Sequence, residues 1–170
     1  LTPRVTATAF SMSERELNVA KAKLEEAAKA SGSEAFTSQR ERLQLLYDYL
    51  EGFWKSVDEG AKSLKAVEEL MIGDIRVAVV EYQPGLLVLR VKGENRRYTV
   101  KTLPAKVALT LAERVLKPDA PQNKVYFGAF LAMDGKGDRE AARKFWSEAQ
   151  QAKVDVSALL PELGTAPPAS

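Results

Sequence analysis

From Leu43 to Val57 the apolar residues Leu43, Leu46, Tyr47, Leu50, Phe53, Trp54 and Val57 recur at steps of three and four, the spacing of one face of an α-helix. This periodicity predicts a helix that begins near Ser33 and closes at Gly60. Upstream, Ser13-x-x-Glu16 carries the spacing of a capping box, and Leu17, Ala20, Leu24 and Ala27 follow until Ser31-Gly32 ends the run. With a short Gly-containing join, the two helices are expected to pair as an antiparallel hairpin over residues 13–60.

At Glu68 the period drops from three or four to two. Four strands are predicted, Glu68–Ile72, Ile75–Tyr82, Leu86–Lys92 and Arg96–Leu103, separated by Gly73-Asp74, Gln83-Pro84-Gly85 and Gly93-Glu94-Asn95. Pro84 presets the second position of a type II turn, and Gly85 supplies the positive φ needed at the third. Connections this short permit only an antiparallel meander, over residues 68–103.

After Pro104 the helical period returns. Val107, Ala108, Leu111, Ala112 and Val115 form one apolar face; Asn123 is placed to cap a helix holding Tyr126, Phe127, Phe130 and Leu131; Asp138 is placed to cap a last one facing inward through Ala141, Ala142, Phe145, Trp146 and Ala149. Helices, meander, helices is an α+β order. The expected organisation is a linker over 1–12, a single domain over 13–163 with its helical part at 104–163, and a flexible tail over 164–170. The start at Leu1 and the lack of a signal-peptide pattern suggest a piece of a longer protein.

Composition narrows the chemistry. In 170 residues there is no cysteine and no histidine, so thiolate sites, Ser-His-Asp and Cys-His catalysis are all outside the reach of this chain. A net charge of +2 gives no long-range attraction for polyanions, and every apolar run is interrupted by charge well short of the roughly 20 residues of a spanning helix. Membrane insertion is therefore not expected, and neither cofactor nor metal is.

Asp134-Gly-Lys-Gly-Asp138 fails as a calcium loop, with Arg139 where glycine is required and Phe145 where a bidentate Glu is required, and it lacks the Gly-Lys-Ser/Thr ending of a phosphate loop. It reads as a helix-to-helix turn. Glu25-Glu26, Glu68-Glu69 and the pair Asp48 and Glu51 are the nearest approach to paired carboxylates, and neighbours in sequence point apart.

Two surfaces remain as candidates. Phe145 and Trp146 are about 100° apart on one helix, as are Phe53 and Trp54, so one of each pair is expected outside the core; Trp146 and then Trp54 are the predicted anchors for a protein partner. The alternative is a nucleic-acid face on the meander built from Arg76, Arg90, Lys92 and Arg97, with only Tyr82 and Tyr98 to stack on bases. Polar residues opposite a buried face are the ordinary condition of an antiparallel sheet, so the reading as a protein-interaction or structural module leads.

The segment YFGAFLAMDGKGDREAARKFWSEA, Tyr126 to Ala149, resembles one tetratricopeptide-type helical hairpin: Gly128, the Gly137-Asp138 turn, Ala142, Trp146 and Ala149 stand where that family places its small contacts, turn and aromatic. Residues 53–116 also resemble a domain found at the C-terminal end of long bacterial hypothetical proteins, and the strands are similar in length and turn placement to SH3-like meanders. These resemblances imply a non-catalytic module of a larger bacterial protein and carry no site residues.

Overall fold

The computed structural model describes residues 3–164, and the end of the expected tail, residues 165–170, lies outside them. The elements run α1 (Pro3–Ser13), α2 (Leu17–Lys29), α3 (Glu34–Lys62), β1 (Glu69–Ile72), β2 (Ile75–Gln83), β3 (Leu86–Val91), β4 (Glu94–Tyr98), α4 (Ala105–Glu113), α5 (Pro121–Met133), α6 (Arg139–Gln151) and a 3-10 turn, Leu160–Leu163. The α+β order is therefore present. Where one domain was expected, the chain clusters into two compact units, one of residues 1–52 with 119–170 and one of residues 53–118.

In the first unit, the segment expected as linker is helical from Pro3 onward, its residues 1–2 lying outside the described residues. α1 buries Val5, Thr8, Ser11 and Met12 at steps of three, three and one, a stripe in which two members are polar. Ser11 Oγ donates to the Ala7 carbonyl at 3.0 Å, which makes its burial tolerable. The expected capping box does not form: Ser13 is the last residue of α1 and Glu16 makes no side-chain cap bond. Instead α1 ends in a Schellman arrangement. The Glu16 amide donates to Ser11 O at 2.9 Å and the Arg15 amide to Met12 O at 3.1 Å, with Arg15 at φ 61°, the place glycine usually takes.

Ser33 Oγ accepts from the Phe36 amide at 3.2 Å and so caps α3. The α3 stripe is buried as expected at Leu43, Leu46, Tyr47, Leu50, Phe53 and Val57. α5 starts with Pro121 at its first turn, so Asn123 is inside the helix rather than its cap. Asp138 does cap α6, accepting from the amides of Glu140 and Ala141.

In the second unit the strands pair in the order β1-β2-β3-β4, all antiparallel. Leu70, Val77, Val79, Leu87 and Leu89 are buried, as are Val107, Ala108, Leu111 and Ala112 of α4. α3 does not stop at Gly60; there it lies so close to the Leu111 carbonyl of α4 that no side chain fits. Gly85 has φ 81°, as a type II turn requires. The next hairpin turns one residue earlier than expected, on Lys92 and Gly93, both at positive φ (51° and 84°). That type I′ geometry matches the twist of the strands it joins. β4 ends at Tyr98 rather than Leu103, because the Thr99 amide turns to the Thr102 hydroxyl at 2.8 Å and the chain bends into α4.

Candidate functional site: the outer face of the meander

The cross-strand register decides which side chains share a face. Met71 is opposite Arg76, Ala78 opposite Arg90, Arg90 opposite Asn95, and Val88 opposite Arg97. Arg76, Arg90 and Arg97 therefore stand on one face, each diagonal to the next across neighbouring strands. Lys92 does not join them, since it sits in the turn rather than in β3. A bulge at Val80 flips the later part of β2, so that Glu81 pairs with Val88 on the arginine face and Tyr82 with Leu87 on the other.

The face is mixed rather than uniformly polar. Met71 is 54% exposed on it, while Val88 is buried between its cross-strand neighbours Glu81 and Arg97. Arg76 makes an exposed ion pair with Glu69 at 3.4 Å, and Arg90 Nε donates to Asn95 Oδ1 at 3.1 Å. Tyr98 is opposite Leu87, so both Tyr82 and Tyr98 are on the side away from the three arginines. A base held by those arginines would find no aromatic ring to stack on there.

On the tyrosine side, Tyr82 donates to Asp58, which also pairs with Lys62 at 2.6 Å. Hydrogen bonding from Lys62 first, and from Tyr82 next, holds the Asp58 carboxyl below its usual range; burial and the bond to Asp58 push the Tyr82 phenol up to about 12. Glu68 is held down by the Lys65 amide and by Arg114, whose guanidinium lies 2.9 Å away. These groups tie α3 and α4 to the sheet; they are not gathered around a cleft. Among the described residues no group of three acidic side chains could hold a metal ion, and no helix is long and apolar enough to cross a membrane.

The predicted tryptophan anchors fare differently. Trp146 is fully buried, and its Nε1 donates to the Val125 carbonyl at 3.2 Å. The indole lies against Gly128, where a methyl group would overlap it, and the neighbouring Ala142 and Ala149 are buried too. Small residues on both helices thus admit the whole ring, and it is Phe145 that is left half-buried, stacked on Phe127 with 5.5 Å between ring centroids. Trp146 is not an exposed anchor. Trp54 is half-buried, as Phe145 is, and meets Phe53 edge-on at 5.5 Å.

One feature had no signal in the hydrophobic pattern. Arg15 forms a bidentate pair with Asp134, Nε to Oδ1 at 2.8 Å and Nη2 to Oδ2 at 3.1 Å, with both side chains almost wholly buried. Asp134 Oδ2 also accepts from the Lys136 amide at 3.0 Å, and the Gly135 amide donates to Ser13 O at 2.9 Å. The α1–α2 turn is thereby fixed to the α5–α6 turn. The paired carboxylates considered from sequence are engaged locally instead, Asp48 with Gln44 and Glu51 with the Tyr47 hydroxyl.

No family model, no curated protein and no solved structure matches this chain.

Proposed function

We propose that this chain is a non-catalytic protein-interaction module of a larger bacterial protein, acting through the outer face of its meander. One observation carries the reading: arginines alternate on that face with an exposed methionine and small apolar residues, while both sheet tyrosines lie on the other side. Mixed apolar and basic character suits a protein surface, where apolar contact supplies energy and charge supplies orientation. A single-stranded nucleic-acid platform would need rings on the basic side. The lack of histidine and cysteine points the same way, as do the likenesses to a bacterial C-terminal domain, to an SH3-like meander and to a tetratricopeptide hairpin.

The rival reading, a nucleic-acid module on the same face, is favoured by the convergence of Arg76, Arg90 and Arg97 alone. Filter binding of mixed RNA and single-stranded DNA at low salt separates the two. Weak, unsaturable retention is expected; tight binding that falls steeply with salt and is lost in an Arg90→Glu, Arg97→Glu double variant transfers the function to nucleic acid.

A further inference from the structure

The meander has an open side at β4, and its geometry there is specific. The two-residue turn Lys92-Gly93 makes Val91 and Glu94 the closing hydrogen-bonded pair, so bonding to β3 recurs at Arg96 opposite Leu89 and at Tyr98 opposite Leu87. The intervening residues, Asn95 and Arg97, aim their backbone N–H and C=O groups away from β3. In the strand order β1-β2-β3-β4, no further strand among the described residues takes them.

The side chains along this edge are charged one way. The β3–β4 hairpin carries Arg90, Lys92, Arg96 and Arg97 against Glu94 alone. Arg96 and Arg97 are both exposed and, unlike Arg76, neither has a carboxylate partner among the described residues. Consecutive residues of a strand point to opposite faces, so the edge presents one unpaired guanidinium on each face at the same height. A strand laid beside β4 meets both of them if it carries two adjacent carboxylates, which alternate across the sheet in the same way.

From this charge complementarity we infer that β4 accepts an extended segment of a partner protein as a fifth strand, the segment carrying an adjacent pair of acidic residues among β-forming ones. The inference rests on the protein-interaction reading and names the partner's chemistry. Backbone bonds at Asn95 and Arg97 supply the pairing, and Arg96 and Arg97 select the sequence, the division of labour in which main-chain bonds give affinity and side chains give specificity.

The test uses a labelled peptide, Thr-Val-Thr-Glu-Glu-Val-Thr-Val, its Lys-Lys counterpart, and a Glu-Glu version N-methylated on the amides of alternate residues, which keeps the charge and removes the pairing. Fluorescence anisotropy should show saturable binding of the first peptide only. An Arg96→Glu, Arg97→Glu variant, checked for its fold by its amide spectrum, should weaken it about tenfold or more. In amide hydrogen exchange, saturation should newly protect Asn95 and Arg97, whereas the Glu94 and Arg96 amides are already bonded to β3. Equal binding of the N-methylated peptide without protection at Asn95 and Arg97 would reduce the effect to charge attraction and overturn the inference. So would absence of binding, or protection of the same two amides in the free protein with a dimer in sedimentation, which would make a second copy the occupant. In each of these cases the protein-interaction reading still stands unless nucleic acid binds as described above.

Discussion

In the first unit the largest side chain, Trp146, is enclosed between α5 and α6 and even its one polar atom is bonded; in the second, the tryptophan Trp54 is only half-buried and one sheet face carries three arginines. The same contrast holds for charge. The first unit buries a bidentate ion pair, Arg15 with Asp134, where the second keeps the Arg76–Glu69 pair in water. Burial makes a charge dependent on its partner, because a lone ion in the interior has lost its hydration. Exposure leaves a charge available to something else. The buried pair of the first unit is therefore consumed in holding it together, while the arginines on the sheet face of the second are left in water.

The largest effects should come from breaking the first unit. Trp146→Ala should cost about 3–5 kcal/mol in chemical denaturation, since neither Gly128 nor Ala142 can grow into the vacated space. A loss below about 1 kcal/mol would mean that the α5–α6 pair does not depend on the indole. Asp134→Ala should cost a similar amount, about 3–5 kcal/mol, by stranding the Arg15 guanidinium, and Arg15→Met in the same chain should restore a large part of it. If the single and double variants are equally unstable, the pair is not what Asp134 contributes.

A change of pH reads both units together. The Tyr47 phenol in the first is raised to about 12 by burial and then by its bond to Glu51, and Tyr82 in the second to about 12 by burial and then by Asp58. A raised folded value means that the native state favours the protonated phenol. The associated stability is complete below about pH 10, the ordinary tyrosine value, and is lost as pH rises from 10 to 12. Phenolate absorbance should therefore show late-titrating tyrosines, Tyr47 and Tyr82 together with Tyr49, which burial also raises, and their lag should disappear in denaturant. Tyr82→Phe and Tyr47→Phe should each remove one of them.

The smallest effect sharpens the contrast from the other side. Arg76→Ala should shift stability by less than about 0.5 kcal/mol, because its ion pair is exposed and screened. A cost near that of Asp134→Ala would show that the outer face is structural, and the distinction between the units would fail.

Much of this was legible in the residues. The α3 stripe, the type II turn at Gly85 and the Asp138 cap each rest on local chemistry, and local chemistry is what a single sequence displays. α1 was hidden because Thr8 and Ser11, both buried, stand where an apolar stripe would continue, and the Ser11 hydroxyl is satisfied by the Ala7 carbonyl. Trp146 was misplaced for a different reason. Its burial depends on the absence of a side chain at Gly128, on another helix, and helical spacing within α6 carries no trace of that. The Arg15–Asp134 pair joins positions 119 residues apart and breaks no local rule, so nothing nearby announces it. On the meander, alternation put Arg76, Arg90 and Arg97 on one face, while the one-residue difference in the turn removed Lys92 from it.

The interrupted course of the first unit has a consequence for the order in which the protein is made. Its α1, α2 and the start of α3 leave the ribosome long before α5 and α6, and the Arg15 guanidinium waits through 119 residues for its carboxylate. The second unit, continuous from 53 to 118, closes through hairpins whose partners are adjacent in the chain. Local contacts form with little loop-closure entropy, and distant ones must wait for the chain between them. During synthesis the meander is thus the part able to finish first, so that by the time Asp134 emerges, residues 53–118 of the intervening chain can already be a folded body rather than a free loop.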